Sequence, residues 1–293
     1  MISGSPSAQQ TYPISVVIAT LGGESLAGTI EQLNRGTIVP AEILVCIPEE
    51  DAFRVENLSV QNVRVINTNV RGQVAQRAIG FQQAQYDVVM QLDDDILTDE
   101  NCISYLLDTL TKFGPHVAVA PALVGRSYDK FPKMNGMMLK MFYFLVNGKD
   151  GYQMGAVSKA GAEIGYDPSL IKEGVYNVEW LAGGCLMHFR ENLVNENFFP
   201  YQGKSYCEDL LHSHHLTKKG IRLKLDARTR CSLENVSTAS YGIKEFINFI
   251  YADYRVRKYF VRLSSRSYLR MHLYYMALVC NYLMKKMIAK VSG

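Results

Sequence analysis

The sequence predicts an α/β fold with a mostly parallel central sheet flanked by helices, followed by C-terminal amphipathic helices. Two observations carry this. Four short runs rich in Ile and Val, each bounded by polar or turn residues, alternate with helical patterns across the first 125 residues. Near-continuous apolar runs of that length suit strands buried on both faces. The stretch 241–293 combines aromatic and aliphatic residues with ten Lys or Arg against two acids, which describes basic amphipathic helices and not a disordered arm.

Residues 1–12 are rich in Ser and Gln and lack a basic start followed by an apolar stretch, so they read as a loose lead and not as a signal peptide. The expected strands are Ile14 to Ala19, Glu42 to Ile47, Val63 to Ile66 and Tyr86 to Leu92. Between the last two, Gly72 to Ala84 places Val74, Ala78 and Phe81 at helical spacing. A further helix begins near Asp99 or Glu100. Residues 133–177, Met-rich and then glycine-rich, read as a mobile insertion or lid. Val178 to Phe189 reads as a strand containing Trp180, Gly183 and Gly184, and Cys207 opens a helix ending at Lys218-Lys219-Gly220. The boundaries expected are therefore a lead 1–12, a main domain 13–240 with halves 13–125 and 126–240, and a basic helical tail 241–293.

A chain of 293 residues with 48% hydrophobic residues can bury a large core without disulfides. Its six cysteines form no C-x-x-C pair, so neither a zinc knuckle nor a disulfide framework is suggested, and a reducing cytosol fits. The net charge of +3 hides a tail at +8 and a body at −5. The longest apolar run of the tail, Met271 to Met284, is interrupted by His272 and Asn281 and falls short of the roughly 18 to 20 residues of a membrane span. The tail either lies on an anionic membrane surface or packs on the domain; no nucleic-acid motif accompanies it.

Ligands of such sheets lie beyond the carboxyl ends of the strands. That edge carries Thr20, Glu49, Arg71, Arg77 and the triplet Asp93-Asp94-Asp95. Three adjacent carboxylates after a buried strand repel one another unless a cation compensates them, and Mg²⁺ or Mn²⁺ bridging to a diphosphate would do so. The plainer reading is a solvated acidic turn capping the next helix. Arg71 and Arg77 either neutralise phosphate or pair with the acidic edge. Trp180 either stacks on a sugar or packs in the core. His212, His214 and His215 share a helix, but only two of them share a face, so they read as ordinary histidines and not a zinc site.

With these residues in place, the sequence resembles the family 2 glycosyltransferases of GT-A fold. The match rests on Val17-Ile18-Ala19-Thr20, Arg71-Gly72 with Gln76 to Gly80, Tyr86 to Asp95, Leu181 to Met187, and Glu208-Asp209. The resemblance implies that Asp93 faces the nucleoside or ribose, with Asp94 a further nucleotide-sugar-binding candidate, that Asp95 coordinates the metal, that Thr20 lines the nucleotide pocket and that Asp209 is the general base. Trp180, Gly183, Gly184 and Glu208 become acceptor-site candidates in an acceptor half, 126–240. The sequence departs from the pattern where Ile47-Pro48 replace acids that hold the base, leaving Glu49 as the substitute. It departs again at Ala78, in place of asparagine, and where a metal-binding histidine would stand, with Cys231 or Glu234 nearest.

The expectation is a metal-dependent, inverting transfer from a nucleotide-diphosphate sugar, UDP by family, to a glycan or lipid-linked acceptor of a surface polysaccharide, in the cytoplasm or at the cytoplasmic face of the membrane. Two alternatives stay open: a nucleotidyltransferase making nucleotide sugars, and a nucleotide-sugar binding protein without catalysis. Against the first, the loop Leu21 to Leu26 carries no basic residue to hold a triphosphate. For Asp209, a capping role competes with that of base.

Overall fold

A computed structural model of the chain describes residues 10–124, 136–166, 171–201, 204–233 and 242–291. They fall into two compact units, Met1–Asp129 with Pro168–Ser237, and Lys130–Asp167 with Thr238–Gly293. The strands are β1 (Gln10–Ala19), β2 (Ile38–Pro48), β3 (Val63–Thr68), β4 (Val88–Asp93), β5 (Ile96–Thr98), β6 (Val117–Val124), β7 (Val175–Val178), β8 (Cys185–Phe189) and β9 (Arg222–Leu233). The helices are α1 (Ser25–Arg35), α2 (Gln73–Gln83), α3 (Cys102–Phe113), α4 (Met137–Asn147), α5 (Glu208–Lys218), α6 (Ile243–Leu263) and α7 (Tyr268–Val291).

In the first unit all nine strands join one sheet in the order β3-β2-β1-β4-β8-β6-β9-β5, with β7 also paired to β9. The first four strands are mutually parallel where they pair, and β8 enters antiparallel between β4 and β6. The period-2 alternation of strands sorts their side chains between two cores. Ile14, Val16 and Ile18 of β1 face a large cluster with Leu26, Ile30, Ile103 and Leu106 from α1 and α3. Val17 faces the opposite cluster, with Phe81 of α2 and Leu193. Both faces of the sheet are covered, as the apolar runs predict.

α2 lies close to the sheet. A Cβ on Gly80 would stand 2.5 Å from Val17 Cγ1 and 2.6 Å from Cys46 Sγ, so any larger residue there would force the helix or those side chains to shift. Gln76, on the same helix, uses its amide to bond the carbonyls of Thr20 and Cys46, each at 2.8 Å, and accepts the Gly72 amide at 3.0 Å.

Three expectations change. β1 begins at Gln10, inside the stretch read as a lead, because Gln10 and Thr11 pair with Ile38 and Val39. Val178 to Phe189 is not one strand: β7 pairs with β9 and β8 with β4 and β6, so residues 179–184 must cross between them, carrying Trp180 and both glycines in a connection. The segment 133–177 also divides, since residues 136–166 join the second unit and 171–177 lead into β7 of the first.

In the second unit, Tyr143 and Val146 of α4 pack with Ala156, Ala160, Ile164 and Tyr274 of α7. Arg257 of α6, 1% exposed, bonds Asp253 at 3.0 Å, Glu163 at 3.0 Å and the Gly161 carbonyl at 2.7 Å. Such a buried cation needs this full set of partners. No helix among the described residues is long and apolar enough to cross a membrane.

Candidate active site

The carboxyl ends of β1, β2 and β4 meet at one edge of the first unit. Asp93 opens from the end of β4, its amide bonded to the Gly184 carbonyl at 2.8 Å. Period 2 puts Asp93 on the α2 face with Val89 and Gln91, and two residues one helical turn apart on α2 reach it. Gln73 Nε2 donates to Asp93 Oδ1 at 2.7 Å and Arg77 Nη2 at 2.6 Å. The other arm of Arg77 donates to Glu208 at the start of α5.

Burial disfavours the charge of Arg77, yet Glu208 and Asp93 hold its pKa above the ordinary value. The pairing expected between Arg77 and the acidic edge is therefore present. Arg71 is different: it bonds Glu50 at 2.5 Å and Asp51 at 2.6 Å, on the 3-10 turn after β2, so it does not supply charge to Asp93. It still lines both clefts described below.

Asp94 accepts the Thr20 hydroxyl, and Thr29 Oγ1 bonds the Asp94 carbonyl at 2.9 Å. Burial raises the Asp94 carboxyl pKa, the Thr20 hydrogen bond opposes this, and the Asp93 charge adds to it. Asp95 is raised by burial and by Asp93 and Asp94, with Lys204 pulling the other way. Asp93 and Asp94 are thus engaged by protein donors, while Asp95 sits half-buried among like charges. A hard divalent cation at Asp95 would relieve that repulsion.

Cys207 precedes α5 in the left-handed region at φ 55, a costly conformation for a residue with a side chain. Beyond it, Asp209 Oδ1 accepts the Gly183 amide at 2.9 Å. Gly183 and Gly184 fill the gap between two carboxylates. A Cβ on Gly183 would meet Asp209 Oδ1 at 2.5 Å, and one on Gly184 would meet Asp93 Oδ2 at 3.3 Å. Gln91 Nε2 fixes this connection by donating to the Gly183 carbonyl at 2.7 Å. Burial, then the Glu208 charge, raises the Asp209 pKa well above the usual carboxylate value, against the Gly183 amide.

A cleft of about 590 Å³ opens beside this edge, lined by Thr20, Arg54, Arg71, Gln73, Asp94 and Lys204 among others. A second, of about 530 Å³, is lined by Pro48, Glu49, Thr68 and Arg71. Glu49 is exposed there. Trp180 is 7% exposed, which favours packing over stacking on a sugar. His212 stacks on Phe198 with ring centroids 6.1 Å apart, and burial holds its pKa well below the usual value. Cys231 is buried in β9, and Glu234 lies outside the described residues.

Sequence reading missed Gln73, Arg54 and Lys204, and gave Gln76 no role. Gln73 and Arg77 at i and i+4 were a readable signal for one helical face aimed at Asp93. Lys204 had none, since its position depends on a loop fold.

The fold, with a mostly parallel sheet gathering acids and amides at its carboxyl edge, is GT-A-like, the architecture of nucleotide-sugar enzymes. The sequence profile described as Glycosyl transferase family 2 matches residues 15–163, half of the chain, and the chain belongs to that family of glycosyltransferases. Among solved structures it is similar to GalNAc-T7 with UDP, GalNAc and Mn2+, with a TM-score of 0.53 and 20% identity over 85% of this chain and 49% of that one. The chain thus spans about half the length of that structure's chain, and the likeness concerns the fold. No curated protein matches the sequence.

Proposed function

We propose that this protein moves a sugar from a nucleotide-diphosphate donor, UDP-linked, to a hydroxyl of a glycan or lipid-linked acceptor, with inversion at the anomeric carbon. One observation carries the reading. The Asp93–Arg77–Glu208 chain of ion pairs joins the donor edge to the start of α5, and only Gly183-Gly184 separates Asp93 from Asp209. A donor at the strand ends and an acceptor hydroxyl at Asp209 would then be neighbours.

In this reading the nucleotide occupies the two clefts, with Thr20 and Glu49 along its path and Asp93 and Asp94 toward the ribose and sugar. Lys204, Arg54 and Arg71 bring positive charge to a diphosphate. Asp95 would hold Mn²⁺ or Mg²⁺, which supplies charge compensation to the departing diphosphate. Asp209, with a raised pKa, takes the proton of the attacking hydroxyl once ionised. The Gly183 amide holds its position, and Glu208 and Arg77 set the local charge. UDP and Mn2+ are present in the GalNAc-T7 structure, and that likeness supports both choices.

The test is calorimetric titration of UDP with and without Mn²⁺ on wild type and Asp95→Ala, beside a thermal melt of each. The expected result is a normal melt and loss of the metal-dependent gain in affinity. A variant that melts normally and keeps that gain removes Asp95 from the metal site.

A place at the cytoplasmic face of an anionic membrane is supported by the second unit. Its helices expose Ile247, Leu269 and Met287 on the basic segment 241–293, and α4 exposes Met137, Met138 and Met141. Flotation with anionic liposomes at low salt should carry the protein upward, and its absence ends the membrane reading.

A further inference from the structure

Metal-ligating groups converge at a second place in the first unit. Cys102 opens α3, Cys185 opens β8, and Cys231 lies near the end of β9. Their sulfur atoms all lie within 4.8 Å of one another, with Cys102 Sγ and Cys231 Sγ 3.6 Å apart. The three residues are 1%, 0% and 0% exposed and belong to the core cluster that contains Leu92, Ile96 and Ile103. The Thr229 hydroxyl, two residues before Cys231, donates to Asp99 at 2.6 Å, three residues before Cys102. Leu92, the residue before Asp93, pairs with Cys185.

Among the described residues, this is the group of three ligand side chains already close enough to share one ion. A disulfide would use two of the thiols and strand the third. Sulfur ligands at about 2.3 Å from a metal stand roughly 3.7 to 4.0 Å apart, against 3.6 Å for Cys102 and Cys231 and no more than 4.8 Å for the other pairs. An apolar wall and an all-sulfur set exclude hard ions such as Mg²⁺ and favour soft, closed-shell ones.

We propose that Cys102, Cys185 and Cys231 form a three-thiolate site for a single soft closed-shell cation, zinc(II) or copper(I). Loading breaks three S–H bonds, sends the protons to solvent and forms three metal–sulfur bonds. The charge left is one negative with the divalent ion and two with the monovalent ion. The bound ion ties the first turn of α3 to β8 and β9 directly beneath the acidic edge, a structural role separate from any metal at Asp95.

The reduced full-length protein, titrated with Cd²⁺, should develop a sulfur-to-cadmium charge-transfer band that saturates at one equivalent with the intensity of three Cd–S bonds. Titrations with Zn²⁺ and with Cu⁺, each against a chromophoric chelator, identify the preferred ion, which should also raise the melting temperature. Cys280→Ser, on the exposed side of α7, should keep the full signal. Cys185→Ser and Cys231→Val should lose it, and the second variant keeps the core apolar where serine could unfold it. A wild-type band equal to two bonds or fewer, no saturation at one equivalent, or a band unchanged in Cys231→Val overturns the site. The wild-type bond count decides the matter even if both core variants fail to fold.

Discussion

Two clusters of potential ligands approach each other where β4 and β8 pair, Asp93 following Leu92 and Leu92 lying opposite Cys185, and they are chemical opposites. Ahead of the strand end, Asp93, Asp94 and Asp95 are half-buried oxygen donors that repel one another, and Asp94 lines the wider cleft. Behind it, Cys102, Cys185 and Cys231 are sulfur donors sealed in the core. The acids are adjacent in sequence and the thiols come from three elements. The lesson concerns how a site is encoded: a site at the end of one strand is written in a contiguous motif, whereas a site between elements exists only once the sheet has formed.

The acidic side of this contrast can be broken first at Asp209. Asp209→Asn keeps the acceptor for the Gly183 amide and should lower transfer at least about a hundredfold, with UDP affinity close to wild type. Retention within a factor of three in a steady-state transfer assay would remove the base role. The same group predicts the pH dependence. Because its folded pKa is raised, its contribution to stability is full below the ordinary carboxylate pKa and is lost as pH rises through the raised one. Transfer should instead increase over that rise, as the carboxylate ionises. Asp209→Asn should therefore melt higher than wild type at neutral pH, and its residual activity should lose that ascending limb.

Gly183→Ala sharpens the contrast from the other side of the carboxylate. The new methyl group would meet Asp209 Oδ1 at 2.5 Å and both Gln91 Nε2 and Glu208 Oε1 at 3.3 Å, so it must push the base aside. A displacement of this kind should cost about tenfold to a hundredfold in kcat, with little change in UDP affinity by calorimetry. An unchanged kcat would show that the position of the base is not set there. The smallest effect belongs to Gly80→Ala, which presses a methyl group on Val17 and Cys46. Overpacking should cost about 1–3 kcal/mol, partly offset by roughly 1 kcal/mol of helix propensity. Urea denaturation reads it directly, and a stability equal to wild type would mean that α2 can lift from the sheet.

What the sequence made legible follows the same division. The four parallel strands, α2 and the acids at the strand end were readable because each is a local pattern of apolar period and punctuation. β6, with Pro121 inside it, and β9 were not read as strands, since their pairing is long-range and a proline argues against a sheet interior. The run containing Trp180 looked like one strand because its apolar content is continuous, and only the pairing partners of β7 and β8 reveal the crossing. Arg71 and Arg77 read alike in sequence. The structure separates them, because Arg77 lies on the α2 face toward β4 while Arg71 precedes the helix beside Glu50 and Asp51.

The amide of Gln76 has a kinetic consequence. It holds the ends of β1 and β2 and the start of α2 through three hydrogen bonds from one buried side chain, so none of the three can open alone. The Gly72 amide should then exchange with deuterium at a rate set by cooperative opening of the whole donor half, far slower than expected for a glycine at a loop-to-helix junction. Gln76→Glu, which turns an oxygen toward two carbonyls, should uncouple the three segments and give each its own exchange rate.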